Sequence, residues 1–421
     1  MVSDKEPRIS PDQLCIGMYV HLDLPWTSHP FTFSSFKIKT LYQVAAIQAL
    51  GIQALRYDPE RSDVEPLPMP DQRARSHPPA TPAADDPMML AKRARLERMA
   101  ARQAKIQACE RALVSSGHAV KSITQSLFAK PKQAYAEAGE LIGGIADTML
   151  VDADVAIQLM ADKVGGEDVY VHSLNVAILS MILGRELKAP APTLKLIGLG
   201  ALLHDIGKSE LPERVARKAG ALTPAEMHVF ETHPAKGVDI ARNMGVAPEV
   251  RAIIEQHHEH VDGSGYPRKL TGTQMSLLTR IVCLVNAYDN LCNPVDPKQA
   301  LTPHEALSLI YGQRRSHFDA TVLTTFVRSV GIYPPGTVVA LSNGTMGMVV
   351  SVNSSRPLKP TVLVYDPAVP KEGAIVVDLE QEPDVTVAST LRPQQLPAAV
   401  FDYLSPRKRT TYHFSTETPG P

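Results

Sequence analysis

The sequence predicts a mainly α protein: an all-α central domain with a small α/β module before it and a small β module after it. Three observations carry that reading. Between residues 147 and 332 apolar residues recur at helix-face spacing with few strand-like alternations. In front, over residues 1–57, apolar runs such as CIGMYVHLDL alternate with turn signals and lead into the helix-periodic TLYQVAAIQALGIQALRY. Behind, over residues 333–421, GTVVALSNGTMGMVVSVN and PTVLVYDP read as short strands, with Asn343-Gly344 as a hairpin signal and a polar tail beyond about residue 390.

The connecting segments follow from composition. Residues 58–87 hold eight prolines among scattered Asp, Arg and Ser, which resists both helix and sheet and predicts a linker or long loop. Residues 88–146 turn helical in composition and form a connector. Met99, Ile106, Leu113, Val120 and Leu127 fall seven apart, but Gln103, Glu110, Gly117 and Thr124 at the alternate positions argue against a free-standing coiled coil. Over residues 88–132 ten Lys and Arg face two Glu, so this stretch is either a contact for an anionic partner or second subunit, or a solvated helix lying across its own domains. For the central domain the periodicity predicts seven or eight helices.

Composition also excludes function classes. With 421 residues and a formal charge of −1, the chain has no global attraction to nucleic acid polymers or anionic membranes. Cys15, Cys109, Cys283 and Cys292 form no CxxC pair, which suits a reducing cytoplasm better than a disulfide framework. MVSDKEPRIS lacks a signal-peptide apolar core, and the apolar runs at 174–184 and 194–203 are too short to span a bilayer. The expectation is a soluble cytoplasmic protein.

The chemistry gathers in a string of ligand-type residues: Asp168, His172, His204, Asp205, His233, His257 and His258. Asp168 and His172, four apart, share a helix face. His204 and Asp205 close the apolar run LIGLGALL, His233 opens a helix at THPAKG, and His257 and His258 close EVRAIIEQ. Neighbours on a helix point about 100° apart, so His257 and His258 reach one site from two directions or serve two neighbouring ions. A carboxylate between imidazoles can bridge two metals, and Asp205 is the natural candidate. Imidazole with carboxylate and no thiolate favours Fe, Mn or Zn over Cu or Ca. His228, His260, His304 and His317 read as ordinary hydrogen-bonded histidines.

HDIGK (204–208), ETHPAKG (231–237) and HHEHVDGSGYP (257–267), with His172 upstream in YVHSLNVAIL, resemble the signature of the HD-GYP family, a branch of the metal-dependent HD phosphohydrolases. The resemblance covers roughly residues 147–330 and implies an HD-type helical fold. It implies a phosphodiesterase that opens cyclic di-GMP to the linear dinucleotide pGpG, in many members onward to GMP, in bacterial second-messenger signalling. Two divalent metal ions are implied, Fe or Mn foremost with Zn, Ni or Mg as alternatives, and in some members a third. By position His172, His204, Asp205, His233, His257 and His258 become ligands, with Asp205 bridging. Asp168 stands where trinuclear members carry a Glu. Lys208 is placed to touch the scissile phosphate, making Asp205 and Lys208 the catalytic pair, and Gly263, Gly265, Tyr266 and Pro267 shape the substrate pocket. PDQLCIGMYVHLDLPWTSHPF resembles a module of unknown role that often precedes such domains.

Two positions depart from the family pattern. Where a metal-ligating Asp is usual, counting from His258 lands on Asn286, with Asp289 three residues on. An Asn can coordinate through its carbonyl oxygen but brings no charge. Where an Arg usually grips a substrate phosphate the chain has Val295, while the next basic position is kept as Lys298; Arg314 or Arg315 could supply the missing grip. These departures motivate an alternative: a catalytically weak cyclic di-GMP sensor or a protein-interaction module working through its GYP surface. A third reading keeps the hydrolase and changes the substrate to another cyclic dinucleotide or phosphate ester. A homo-oligomer is open on either view.

Overall fold

The computed structural model describes residues 7–25, 28–31, 33–69, 87–148, 153–161, 168–218, 220–353, 355–367, 369, 371, 374–392 and 395–405. The chain divides into two compact units, Met1–Gln103 with Tyr365–Ile375 and Ala104–Val364 with Val376–Pro421. No helix among the described residues is long and apolar enough to cross a membrane.

In the first unit β1 (Arg8–Ile9), β2 (Tyr19–His21), β3 (Ser35–Lys37) and β4 (Leu55–Asp58) form an antiparallel sheet in the order β1-β4-β2-β3, with α1 (Leu41–Ala49) between β3 and β4. The period of two along β4 buries Leu55 and Tyr57, and they meet Val20, Val44 and Ile47 in one core. Thr40 caps α1 by accepting from the Gln43 amide, and Gln43 answers onto the Thr40 amide. Residues 59–69, expected to be linker, are fastened back onto this module. The Tyr19 amide donates to Ser62 Oγ at 2.7 Å, Asp63 to the Gly17 carbonyl at 2.9 Å, and Leu67 to the Gln13 carbonyl at 2.9 Å. Prolines deny this stretch a ladder of its own, but its remaining amides find partners on the module. The rest of that linker, 70–86, lies outside the described residues.

The connector is two helices, α2 (Pro87–Ser126) and α3 (Pro131–Thr148). Ile106, Val120 and Leu127 of the seven-residue stripe are buried and Leu113 partly so, whereas the Met99 side chain lies outside the described residues. Ala134, Ala138, Ile142 and Ile145 mark the inner face of α3, so residues 120–145 share one core with the helices that follow.

Among the described residues between 147 and 332 ten α-helices follow: α4 (Ala153–Ala161), α5 (Asp168–Glu186), α6 (Ala191–Leu203), α7 (Glu213–Ala216), α8 (Pro224–Phe230), α9 (His233–Met244), α10 (Pro248–Gln256), α11 (Leu277–Cys292), α12 (Pro303–Gln313) and α13 (Ala320–Val330). The surplus over the expected seven or eight comes from α7 and α8, short segments with too few turns to show a period. Helix α6 is apolar all round from Ile197 to Leu203 and is buried there, packed by α3, α5, α10 and α11. Capping boxes at Thr223/Glu226 and Thr302/Glu305 set the starts of α8 and α12.

The last module is a five-stranded sheet of β5 (Val338–Leu341), β6 (Met346–Ser351), β7 (Thr361–Val364), β8 (Ile375–Asp378) and β9 (Val387–Leu391), in the order β8-β7-β6-β5-β9. The β5–β6 hairpin turns at Asn343-Gly344 as expected, Gly344 taking φ 82°. The expected polar tail instead contains α14 (Ala398–Leu404), which buries Val400 and Leu404.

Candidate metal centre

Four separate helix ends and one helix face supply the ligand-type side chains. His204 is the residue at which α6 stops, and Asp205 immediately precedes a 3-10 turn at Ile206–Glu210. His233 is the first residue of α9, His257 ends α10, and His172 lies on α5. The chain can bring them together because the 3-10 turn lies directly on the start of α9. A Cβ on Gly207 would sit 1.9 Å from the His233 carbonyl oxygen, so only glycine allows this approach.

Asp205 occupies the middle. Its Oδ2 lies 3.3 Å from His204 Nε2 and 3.7 Å from His172 Nε2, while its Oδ1 lies 3.4 Å from His233 Nε2 and 3.5 Å from His257 Nε2. Two ligand sets result, His172–His204–Asp205 and Asp205–His233–His257–His258, each with donor atoms within 4.8 Å of one another. The carboxylate belongs to both.

The imidazoles are oriented from behind. His204, His233 and His257 use Nδ1 on the carbonyls of Ala201 (2.6 Å), Phe230 (2.7 Å) and Ile254 (2.8 Å), and His172 Nδ1 meets Asp289 Oδ2 at 2.7 Å. Carbonyls and a carboxylate accept only, so each Nδ1 carries a proton and Nε2 is the nitrogen left to present a lone pair to the centre in the neutral ring. Burial pushes His204 below its ordinary pKa, His257 down to about 3 and His258 well below, which keeps these rings neutral near pH 7. Burial alone would raise the Asp205 carboxyl; His204 and the Lys208 ammonium, 2.6 Å away, offset this and hold it well below the carboxylate range.

The donor set fits divalent metal ions. Asp205 Oδ1 and His258 Nε2 are buried without a hydrogen-bond partner, an expensive arrangement unless something electrophilic sits against them. No thiolate competes: Cys283 nearby gives its Sγ–H to the Gln256 carbonyl, and burial raises its pKa.

The segment after His258 folds straight back over it. A Cβ on Gly265 would meet the His258 carbonyl oxygen at 2.5 Å and the His260 nitrogen at 2.4 Å, so this return needs glycine. Tyr266 then donates its amide to the His258 carbonyl and stacks its ring on the His258 imidazole, 4.6 Å between centroids at 18°. Gly263 takes φ 79°, and Pro267 follows Tyr266 through a cis peptide. Buried Glu259 fastens the far side, accepting from the Arg268 and Leu270 amides at 2.6 and 2.9 Å.

The structure thus gathers His172, His204, Asp205, His233, His257 and His258, with Lys208 in contact and the Gly263–Pro267 turn alongside. Asn286 is buried on α11 and lines a cavity with His257 and His258, its Oδ1 accepting from Asn290 Nδ2 at 2.8 Å. Lys298 stands exposed on a 3-10 turn at Pro297–Gln299, with no contact to the cluster among the described residues. Asp168 begins α5, but its side chain lies outside the described residues. Asp289, aligned in sequence but given no role, orients His172 and is itself held by Asn175 and Asn293 through Oδ1. Glu259 went unnoticed as well; the one signal for it was an acid wedged between histidines.

Comparison with known proteins identifies three matched regions along the chain. The pattern described as an HD domain matches residues 154–322, a domain of unknown function (DUF3391) matches 7–138, and a KOW domain associated with HD domain matches 338–399. A cyclic di-GMP phosphodiesterase of Pseudomonas aeruginosa is 30% identical over 372 residues, 85% of this chain and 84% of that protein. The cyclic di-GMP phosphodiesterase PdeB of Borreliella burgdorferi is 26% identical over 52% of this chain and 57% of its own length. Among solved structures, an HDG"Y"P protein of Bdellovibrio bacteriovorus aligns over 76% of this chain and 98% of its own, with a TM-score of 0.46 and 15% identity. With an HD domain matched over residues 154–322 and 30% identity to the Pseudomonas aeruginosa phosphodiesterase over 85% of its length, the chain belongs to the HD-GYP family of HD-domain phosphohydrolases.

Proposed function

We propose that this chain is a metal-dependent phosphodiesterase that hydrolyses cyclic di-GMP to the linear dinucleotide pGpG. The observation that carries this reading is Asp205, whose two carboxylate oxygens face two separate sets of imidazoles. His172, His204 and Asp205 would hold one ion; Asp205, His233, His257 and His258 would hold a second. Two ions are the number these donors support, and Fe or Mn suits imidazole with carboxylate and no thiolate. Divalent ions held there would supply Lewis acidity toward the phosphoryl oxygens and the attacking water.

The chain's own groups do the rest. Lys208 brings a cation to the edge of Asp205, where it can meet charge developing on the phosphoryl oxygens. Phe230 lies 5.2 Å from its Nζ and limits where the ammonium can go. The Tyr266 ring, stacked on His258, fixes one wall beside the centre. No serine or cysteine nucleophile is required.

The experiment is direct. Purified chain loaded with Mn or Fe is incubated with cyclic di-GMP, and products are separated by chromatography over a time course. Conversion to pGpG is expected, with loss in His204→Ala and Asp205→Ala. Substrate left intact over hours by metal-loaded protein would sink the proposal. GMP accumulating after pGpG would extend it by a second cleavage.

A further inference from the structure

A cavity of about 220 Å³ opens beside the metal centre, with His257 and His258 on one side and Asn286, Asn290 and Arg314 among its other lining residues. Arg314 is the one cationic residue lining it among those described, and no carboxylate there pairs with its guanidinium. Arg314 is exposed, so its guanidinium is free to meet an anion that enters the cavity beside the two amide side chains and the candidate metal centre.

The backbone carrying Arg314 is secured at this place. Its amide closes α12 on the Ile310 carbonyl at 3.1 Å. The 3-10 turn that follows, Arg315–His317, is sewn to the loop behind His258. Ser316 Oγ donates to Asp262 Oδ2 at 3.0 Å, and the Val261 amide donates to the His317 carbonyl at 2.9 Å. The His317 ring stacks on His260 at 4.1 Å and 12°. The two histidines set aside from the metal site therefore act as a seam, holding the Arg314 turn against the loop that carries the ligands.

We propose that Arg314 binds the phosphodiester that is not being cleaved. This rests on the reading of the chain as a cyclic dinucleotide phosphodiesterase. Such a substrate carries two phosphodiesters; one reacts at the centre, and the other remains an anion that needs a partner outside it. Val295 cannot provide that partner, and Arg314 stands where a substrate extending from His257 and His258 into the cavity would meet it.

The test compares the full-length, metal-loaded protein with Arg314→Ala and Arg314→Lys on two substrates: cyclic di-GMP and bis(p-nitrophenyl) phosphate, which has a single phosphodiester. Loss of one charge-assisted hydrogen bond predicts a KM for cyclic di-GMP raised roughly tenfold in Arg314→Ala, with kcat within about twofold. Arg314→Lys recovers most of the loss, and kcat/KM for bis(p-nitrophenyl) phosphate stays unchanged in both. Calorimetric binding of cyclic di-GMP to the metal-free proteins shows the same ranking without turnover. An unchanged KM in Arg314→Ala, or an equal fall on both substrates, overturns this proposal alone. Wild-type protein that neither cleaves nor binds cyclic di-GMP overturns the phosphodiesterase reading and this one with it.

Discussion

The contact between His172 and Asp289 offers the sharpest test of how the centre is built. His172 Nδ1 donates to Asp289 Oδ2 at 2.7 Å, and Asp289 Oδ1 accepts from the amides of Asn175 (3.1 Å) and Asn293 (2.9 Å). Asp289→Asn keeps the shape and cannot keep this pattern. With its oxygen on the two Asn donors, the new amide presents N–H to His172 Nδ1, which pushes the proton to Nε2 and removes the lone pair from the centre. With the amide reversed, N–H faces two N–H donors in a buried site. Losing a charge-assisted hydrogen bond costs about 1.5–3 kcal/mol, roughly 10- to 150-fold, which agrees with the 10- to 100-fold expected when the partner behind a ligand is removed. The weakening should be confined to the His172–His204–Asp205 side, which has one donor fewer among the described residues than the side it shares Asp205 with. Competition with a chromogenic chelator, alongside elemental analysis, should show one metal equivalent weakened by that factor and the other unmoved. Two equivalents of unchanged affinity, or both weakened alike, would refute the reasoning.

Other consequences are as concrete. Asn286→Asp puts a charged oxygen where a neutral one accepts from Asn290, so metal per chain should rise; equal content in both proteins by elemental analysis rules out a ligand role at that position. Lys208→Ala should lower kcat on cyclic di-GMP by about 100- to 1,000-fold with a smaller effect on KM, and an unchanged kcat would remove Lys208 from the chemistry. Glu259→Gln sets an amide N–H against the Arg268 or Leu270 amide, and should cost about 1–3 kcal/mol in denaturant unfolding; a midpoint equal to wild type would mean the loop does not depend on that carboxylate.

What could be read ahead of the structure was local. The histidines of HDIGK, THPAKG and HHEH sit at the ends of apolar periodic runs, and a helix end is legible from periodicity and caps. The Gly in HDIGK and the Gly before Tyr266 were visible as residues, but their reason was not: each admits a backbone belonging to another element. The links that orient the site join distant positions. Asp289 meets His172 across 117 residues, and the turn after Arg314 is joined to the loop behind His258 by contacts such as Ser316 with Asp262, 54 residues apart. Residues 59–69 take neither helix nor strand, as their prolines predict, but composition says nothing about where the remaining amides will bond.

Three of the candidate ligands share a device that explains why they sit at helix ends at all. The last carbonyls of a helix have no partner within it. His204, His233 and His257 each satisfy one such carbonyl with Nδ1: Ala201 of α6, Phe230 of α8 and Ile254 of α10, in every case three residues back. One hydrogen bond thereby closes a helix, fixes the tautomer and aims Nε2, and it needs nothing from elsewhere in the fold. His172 lies within α5, where the carbonyls are already committed to the helix, so its Nδ1 must find an acceptor on another element, and Asp289 on α11 is that acceptor. The Asp205–His233–His257–His258 side draws on two self-contained helix ends, whereas the His172 side depends on how α5 packs against α11. The same distinction separates a side that local structure assembles from one that waits for tertiary packing, which predicts the weaker metal affinity at His172.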